Sequence, residues 1–198
     1  MADATPLSVP TLASARLRLR PYRDSDVEAL FALYSDPAVM RYWSFPPWTA
    51  MEQARAYFVR AAAHASDGLA LPWAIADAAD DVLIGTATLH SLRPDQGRAE
   101  IGYALATERQ GRGLASEALR TMLAHAFGAL GLRRLEADVD PRNAASCRLL
   151  VALGFSREGL LRERWLVAGE TCDSALYGLL ARDTAPARTA GATQGDAP

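Results

Sequence analysis

A turn with two glycines carries the clearest chemical signal in the sequence, Gln110-Gly111-Arg112-Gly113-Leu114-Ala115. It follows a predicted strand and precedes the most regular helical pattern of the chain. Glycine lets the backbone approach a ligand closely, and the start of a helix offers unpaired N–H groups with partial positive charge. The turn therefore predicts a phosphate or pyrophosphate site, although such turns also contain glycine for steric reasons alone.

The spacing of these glycines differs from the common nucleotide-binding motifs. It matches neither GxGxxG with a downstream ribose carboxylate nor GxxxxGK[ST]. All 21 basic residues are arginine, so the chain has neither a P-loop lysine nor a lysine for a Schiff base. The remaining functional interpretation is a pyrophosphate-bearing ligand other than a dinucleotide or a P-loop nucleotide.

Cysteine and histidine form no recognisable metal motif. Cys147 and Cys172 are far apart, and neither belongs to a CxxC pair, so no metal is expected. His64, His90 and His125 lie in unrelated apolar contexts. We interpret both cysteines and all three histidines as structural or surface residues.

The composition is that of an ordinary globular domain. Of 198 residues, 50% are hydrophobic and 22% charged, with a net charge of -2 and a pI near 5.9. This charge excludes nucleic-acid binding by bulk electrostatics. No apolar run could span a bilayer, and the first ten residues lack the regions of a signal peptide. We expect a cytoplasmic protein without nucleic-acid or membrane partners.

The apolar pattern predicts one mixed α/β domain over residues 15–182, after a flexible lead-in at 1–14 and before a disordered tail at 183–198. Alternation predicts strands, and helical spacing predicts helices that cover both faces of the sheet. The predicted strands are 15–20, 71–77, 82–90, 98–105, 132–139, 159–166 and 173–180. The predicted helices are about 25–34, 50–64, 114–130 and 143–153.

Several ordered segments resemble those of the GNAT N-acetyltransferases. Residues 99–105 (AEIGYAL) and 110–115 (QGRGLA) are similar to the fourth strand and the acetyl-CoA loop of that family. Residues 143–146 (NAAS), followed by 153–155 (LGF), resemble its second coenzyme segment. Such motifs in the right order are far more specific than the glycine turn alone.

The two ends of the domain are similar to one branch of that family. Residues 16–26 (RLRLRPYRDSD) and 173–180 (DSALYGLL) resemble the ribosomal-protein N-terminal acetyltransferases of the RimJ/RimL type. The resemblance implies the GNAT fold, a central, mostly antiparallel twisted sheet of about seven strands with helices on both faces. It also implies acetyl-CoA as co-substrate and direct transfer to an amine acceptor, by a monomer or a homodimer without a metal.

The resemblance implies that Glu100 is the general base that takes a proton from the amine. Strand alternation places Glu100 on one face with Gly102 and Ala104, where small residues leave room for substrate, and Tyr103 on the opposite face. A surface glutamate paired with Arg98 remains the alternative interpretation.

Further residues are implied to hold the coenzyme. The backbone of Tyr103, Ala104 and Leu105 would separate from the next strand and bind the pantetheine arm, with a bulge at Gly102. The pyrophosphate would lie on the glycine turn and the first helical turn, formed by Gln110, Gly111, Arg112, Gly113, Leu114, Ala115 and Ser116.

Asn143 is a natural helix N-cap, and the resemblance adds a hydrogen bond from its side chain to pantetheine. Many GNAT enzymes have a tyrosine near this helix as general acid. Residues 143–153 contain none, so we assign Ser146 to stabilise the leaving thiolate. Cys147, one helical step further, would point away from Ser146, which argues against a covalent acyl-enzyme.

The acceptor cannot be named from the sequence. The aromatic segment 41–48 is expected to line the acceptor cleft, although Trp43 and Trp48 could equally cover the core. Negative charge for a cationic amine could come from Glu163, Glu170 and Asp173, and exposed carboxylates are usually only solvated.

Two other functions remain open. The first is a non-catalytic acyl-CoA-binding regulatory module, which would have no need of Glu100 or Ser146. The second is a nucleotide-binding protein that uses the glycine turn for ATP.

Overall fold

The structure is a computed structural model and describes residues 8–184. These residues form one sheet of eight strands in the order β1-β2-β3-β4-β5-β6-β8-β7. Only the pair β5 and β6 is parallel. The strands are β1 (Leu12–Ala13), β2 (Leu17–Arg20), β3 (Leu71–Asp77), β4 (Leu83–Arg93), β5 (Arg98–Leu105), β6 (Arg134–Val139), β7 (Ser156–Val167) and β8 (Glu170–Leu180).

Helices pack on both faces of the sheet. One buried cluster joins α4 and α5 to the strands around Leu119, Met122 and Leu150. A second cluster joins α1, α2 and α3 to the opposite face around Leu30 and Tyr34. The helices of the described residues are α1 (Val27–Ser35), α2 (Pro37–Met40), α3 (Met51–Ser66), α4 (Leu114–Gly128), α5 (Ala144–Ala152) and α6 (Ala181–Thr184).

The predicted mixed α/β fold is confirmed, with one strand more than expected. The additional strand is β1, because Leu12 and Ala13 pair with β2. The indole N–H of Trp73 also donates a hydrogen bond of 2.7 Å to the carbonyl of Pro10, which holds this segment against the sheet. Residues 12 and 13 therefore belong to the sheet rather than to a flexible lead-in, and residues 1–7 lie outside the described part.

Element boundaries differ from the predictions by a few residues. Helix α4 ends at Gly128 instead of residue 130, because the N–H of Leu130 turns back to the carbonyl of His125 and Gly131 adopts a positive φ of 62°. Strand β6 correspondingly begins at Arg134. The first two residues of the predicted tail lie in α6, and residues 185–198 are outside the described part.

A buried charge cluster connects three elements near the start of the domain. Arg20 on β2 donates hydrogen bonds of 2.7 and 2.9 Å to Asp26, in the turn that leads into α1. Arg20 also donates at 3.0 Å to Asp81, in the turn between β3 and β4. Arg20 is only 3% exposed and Asp26 4%, so each charge depends on the other for its pairing.

The two edges of the sheet differ in length and chemistry. Strand β1 contributes only two residues at one edge. Strand β7 is twelve residues long at the other edge, and most of its side chains are exposed. Its charged residues are Arg157, Glu158, Arg162, Glu163 and Arg164.

Candidate active site

The site begins where the two parallel strands of the sheet separate. Strands β5 and β6 are paired only from Arg98–Arg134 to Glu100–Glu136. Beyond that point β5 continues along β4, and β6 continues along β8. The edge of β5 from Ile101 onward therefore has no partner strand on its β6 side, as the resemblance implied.

A cavity of about 410 Å³ occupies this separation. Strand β5 contributes Glu100 to Tyr103, and β6 with its following residue contributes Ala137 to Asp140. Other walls come from the loop after α2, the end of β4, the start of α5 and the β7–β8 hairpin. The cavity is therefore accessible to groups from both faces of the sheet.

Glu100 lies on the face of β5 that turns toward α1, α2 and α3. Two residues further along the same strand, Gly102 lies on this face, and Ala104 is packed in the cluster of those helices. Strand β5 places Glu100 directly opposite His90 of β4. The predicted sharing of a face is thus present, and Glu100 lines the cavity.

Gly102 does not mark a bulge, contrary to the prediction. The register between β4 and β5 is continuous from Gly85–Leu105 to His90–Glu100, and the irregularity falls between His90 and Arg93. A methyl group added at Gly102 would meet the ring of His90 at an ordinary 3.6 Å. The absence of a side chain here instead keeps the cavity open in front of His90.

Tyr103 approaches α5 from the other face of β5. Its hydroxyl lies 2.7 Å from the hydroxyl of Ser146. Burial raises the pKa of Tyr103 to about 12, against the opposing effect of the hydrogen bond to Ser146. Tyr103 is therefore a neutral phenol throughout the physiological range, able to donate a hydrogen bond or a proton. The phenol of Tyr103 therefore reaches the start of α5, although α5 itself contains no tyrosine.

Asn143 fixes the start of α5 and the position of Ser146. Its side-chain oxygen accepts a hydrogen bond of 3.1 Å from the N–H of Ser146, the N-cap geometry expected from the sequence. Both residues line the cavity. Cys147, in contrast, is absent from the cavity wall and packs partly against the core.

The glycine turn connects β5 to α4 with its backbone exposed. Gly111 and Gly113 have positive φ angles of 72° and 74°, a conformation that favours glycine. No atom lies within 4 Å of a methyl group added at Gly111, so conformation rather than crowding accounts for this glycine. Within residues 8–184, the N–H groups from Gly111 to Ser116 have no hydrogen-bond partner and remain available to an anion.

Side chains around the turn mainly contact the protein itself and so stabilise the turn. Gln110 donates at 2.9 Å to the carbonyl of Leu105, at the end of β5. Arg109 is paired with Asp77 at 3.0 Å. Leu114 is buried in the core, so it can offer a ligand only its N–H. Ala115 and Ser116 likewise extend the exposed row of N–H groups at the start of α4.

The acidic residue in the first turn of α4 is neutralised from the segment between β1 and β2. Glu117 accepts hydrogen bonds from Ser14 and from the backbone and guanidinium of Arg16 at 2.7–2.8 Å. Burial alone would raise the pKa of Glu117, but these hydrogen bonds outweigh it and hold the pKa below its ordinary value. Arg16 also donates at 3.1 Å to the carbonyl of Arg112, which ties the glycine turn to the sheet.

The aromatic segment 41–48 divides between core and cavity. Trp48 is buried, with its ring 4.6 Å from that of Tyr34. Tyr42 and Trp43 line the cavity. The sequence left both roles open for the tryptophans, and the structure gives one role to each.

The predicted acidic residues lie in different places. Asp173 lines the cavity and accepts a hydrogen bond of 2.8 Å from the N–H of Glu163. Glu163 itself is exposed, and Glu170 pairs with Arg142. Of the three, only Asp173 is therefore in reach of a ligand in the cavity.

Sequence reasoning missed three features of the cavity wall, which are the contact of Tyr103 with Ser146 and the positions of His90 and Asp138. Asp138 pairs with Arg164 at 3.4 Å and accepts a hydrogen bond from Ser174. The register of β4 with β5 brings His90 to Glu100, and the order β6-β8-β7 brings Asp138 to Arg164. Neither arrangement leaves a local pattern in the sequence. The alternation of β5 indicates the face on which Tyr103 lies, but not its contact with α5.

The described residues give no sign of a metal or membrane site. No helix in residues 8–184 has the length and apolar character needed to cross a membrane. The same residues contain no group of three or more His, Cys, Asp or Glu side chains arranged to hold a metal ion.

Comparison with known proteins agrees with this geometry. An acetyltransferase (GNAT) domain family model matches residues 16–156. The chain is 37% identical over 175 residues to the uncharacterised N-acetyltransferase p20 of Bacillus licheniformis, covering 88% of this chain and 98% of p20. It is 27% identical over 154 residues to spermidine N(1)-acetyltransferase of Escherichia coli K12, covering 78% and 80% of the two chains.

Among solved structures, Mycobacterium smegmatis RimJ in complex with CoA-disulfide superposes with a TM-score of 0.77 and 29% identity, covering 93% of this chain and 92% of RimJ. The family match alone spans well over half of the sequence, and the resemblance stated from the motifs is confirmed. The chain belongs to the GNAT family of acetyltransferases and is an acyltransferase.

Proposed function

We propose that this protein transfers the acetyl group of acetyl-CoA directly to a primary amine, on a protein N-terminus or a small molecule, within a ternary complex. One observation carries the proposal. The cavity between β5 and β6 has the Tyr103–Ser146 hydroxyl pair on one side of the sheet and Glu100 with His90 on the other. Acetyl transfer needs a proton donor at the leaving sulfur and a proton acceptor at the amine, on opposite sides of the thioester.

The coenzyme is proposed to extend from this cavity to the glycine turn. The pantetheine arm lies along the free edge of β5 at Tyr103, Ala104 and Leu105, where it hydrogen-bonds like an added strand. The buried side chains of Ala104 and Leu105 leave only their backbone groups for this contact. The pyrophosphate accepts hydrogen bonds from the N–H groups of Gly111 to Ser116. Asn143, at the start of α5, contacts the pantetheine.

At the leaving group, Tyr103 and Ser146 act together. The thioester sulfur lies near their two hydroxyls, where a developing thiolate receives hydrogen bonds. Since a serine hydroxyl is a poor acid, Tyr103 provides the proton and Ser146 orients the phenol. This refines the assignment of Ser146 made from the sequence.

On the acceptor side, the carboxylates favour a cationic amine. Glu100, Asp138 and Asp173 line the same cavity, together with Arg164. Glu100 lies at the last paired position of β5 and β6, where the cavity opens toward the acceptor. The similarity to the E. coli relative named for spermidine supports an amine acceptor.

The test is an assay of free CoA release over a panel of acceptors. Spermidine, spermine, single amino acids and short peptides with free or blocked N-termini are each incubated with the protein and acetyl-CoA. We expect CoA release with at least one free amine and none with the blocked peptides. Binding of acetyl-CoA without turnover on any amine would identify a non-catalytic acyl-CoA-binding module instead.

Direct transfer is tested separately with Cys147→Ala. Because Cys147 lies outside the cavity wall, this variant should retain the turnover of the wild type to within about twofold, as expected for a residue that makes no transition-state contact. Loss of all activity, with acetyl-CoA still bound, would indicate an acyl-cysteine intermediate.

A further inference from the structure

His90 was interpreted from the sequence as a structural residue, but it lies in the wall of the active-site cavity. It is near the end of β4, directly across from Glu100. Its Nε2 atom would be 3.6 Å from a methyl group added at Gly102. The ring therefore lies over the glycine that leaves the acceptor side of the cavity open.

Hydrogen bonding determines which nitrogen of His90 is free. Its Nδ1 atom lies 3.2 Å from the hydroxyl of Ser91, and Ser91 has a positive φ of 50° at the irregularity of β4. When Nδ1–H donates to this hydroxyl, the lone pair is on Nε2. Within residues 8–184, Nε2 has no hydrogen-bond partner. The free nitrogen is the one that lies over Gly102.

The charged groups around His90 suit a proton acceptor that is neutral at rest. Burial lowers the pKa of His90, while Glu100 on β5 and Asp138 on β6 oppose this shift. Asp173 on β8 and Arg164 on β7 also face the cavity, as does the phenol of Tyr42 from the loop after α2. The imidazole is therefore uncharged near neutrality, and two carboxylates stabilise the imidazolium once it forms.

We propose that Nε2 of His90 accepts the proton of the acceptor amine, with Glu100 as the positioning residue that stabilises the imidazolium. This inference rests on the proposed acetyltransferase function. The ammonium loses one proton to Nε2, and the neutral nitrogen attacks the thioester carbon. The C–N bond forms and the C–S bond breaks, with its electron pair going to sulfur. The sulfur takes the phenolic proton of Tyr103. The resulting phenolate is reprotonated by the second proton that the amine nitrogen loses, and His90 releases its proton to water.

The experiment compares His90→Gln, Glu100→Gln and the control His64→Gln in kcat/KM against pH with one acceptor. His64 is exposed on α3 and does not line the cavity, so its variant should match the wild type. General-base catalysis contributes about 10²- to 10⁴-fold, and we expect His90→Gln to lose kcat and kcat/KM in that range. The variant should also lose the acidic limb of the profile, which is the rise of kcat/KM with pH as Nε2 of His90 loses its proton. Ionisation of the amine affects all proteins equally and cancels in the comparison.

Glu100→Gln separates the two candidate bases. Because Glu100 raises the pKa of His90, its removal should lower that pKa and move the acidic limb to lower pH, while the limb persists. If Glu100 itself accepted the proton, Glu100→Gln would abolish the limb and His90→Gln would retain it. That result, or a loss of less than about threefold in His90→Gln, well below the general-base range, would overturn the assignment.

Two further measurements protect the test against misfolding. The affinity for acetyl-CoA should be unchanged in all variants, since His90 lies on the acceptor side. His90→Ala should recover activity when imidazole is added, and absence of rescue with intact acetyl-CoA binding would contradict a base role.

If the wild type itself acetylates no amine, the proposed function fails and the role of His90 fails with it. If the wild type is active and His90→Gln is equally active, only the role of His90 fails.

Discussion

The contact between Tyr103 and Ser146 joins residues that are 43 positions apart in the chain. The sequence indicated the face on which Tyr103 lies, from the alternation of β5, but not its partner. The partner depends on where α5 begins, and Asn143 fixes that point by capping the helix. At the residue scale, types and periodicity were predictable, whereas pairs that meet across the separation of β5 and β6 were not.

Removing the phenol of Tyr103 tests the proton donor. Tyr103→Phe should lower kcat by about 10²-fold or more, the range of general acid catalysis, with little change in the KM for acetyl-CoA. Because the pKa of Tyr103 is raised to about 12, the wild type should show no alkaline loss of kcat from this group below about pH 10. Steady-state kinetics across pH provides the measurement.

Tyr177→Phe is the matched control for that variant. Tyr177 is buried in the same core cluster but does not line the cavity. Its loss of a hydroxyl should leave kcat within about twofold of the wild type, since it makes no transition-state contact. Equal activities of the two variants would assign proton donation to water or to Ser146.

At the element scale, the glycine turn and the start of α4 form the unit that we propose binds the pyrophosphate. The turn itself, α4 and β5 were all predicted from local patterns, because each is short-range in sequence. The brace from Arg16 to Glu117 and to the carbonyl of Arg112 was not predictable, since it depends on β2 lying beside α4. The same long-range contact neutralises the carboxylate that would otherwise repel a pyrophosphate.

Valine at either glycine of the turn should weaken coenzyme binding. Gly111→Val and Gly113→Val place a β-branched residue at φ near 72° and 74°, which costs about 1–3 kcal/mol or forces the backbone to change. We expect the KM for acetyl-CoA to rise about tenfold or more, since 1.4 kcal/mol is tenfold in affinity. Gly128→Val, also in open space but without a positive φ, should leave this KM unchanged. An unchanged KM in both turn variants would refute the assignment.

The Arg20–Asp26 pair connects β2 to the turn before α1 and contributes to the stability of the fold. Asp26→Ala leaves the guanidinium of Arg20 buried with Asp81 as its remaining carboxylate partner. The free energy of unfolding should therefore fall by about 3–5 kcal/mol. Asp24→Ala, an exposed residue of the same turn, should change stability by about 0.5 kcal/mol or less. Urea denaturation of the two variants measures the difference, and equal midpoints would contradict it.

For the whole molecule, ligand-dependent stability separates acetyl-CoA from ATP as the natural occupant. A ligand that binds only the folded state, present at a concentration of 100 times its Kd, raises the free energy of unfolding by about 2.7 kcal/mol. For a domain of this size that corresponds to a rise in Tm of about 5–10 °C. We expect this rise with acetyl-CoA, no comparable rise with ATP, and a smaller one for Gly113→Val with acetyl-CoA. An equal rise with ATP would favour the nucleotide-binding alternative.

The edges of the sheet have a consequence for solubility. An unpaired edge strand can recruit the edge of another molecule, and natural proteins counter this with short strands or with charge. Strand β1 is too short to act as a template, whereas β7 is long and has exposed Leu160, Leu161 and Leu166. Its interspersed arginines and glutamates therefore act as gatekeepers against aggregation. Neutralising Arg157, Arg162 and Glu163, which do not line the cavity, should leave the cavity unchanged and shorten the time that concentrated protein stays in solution.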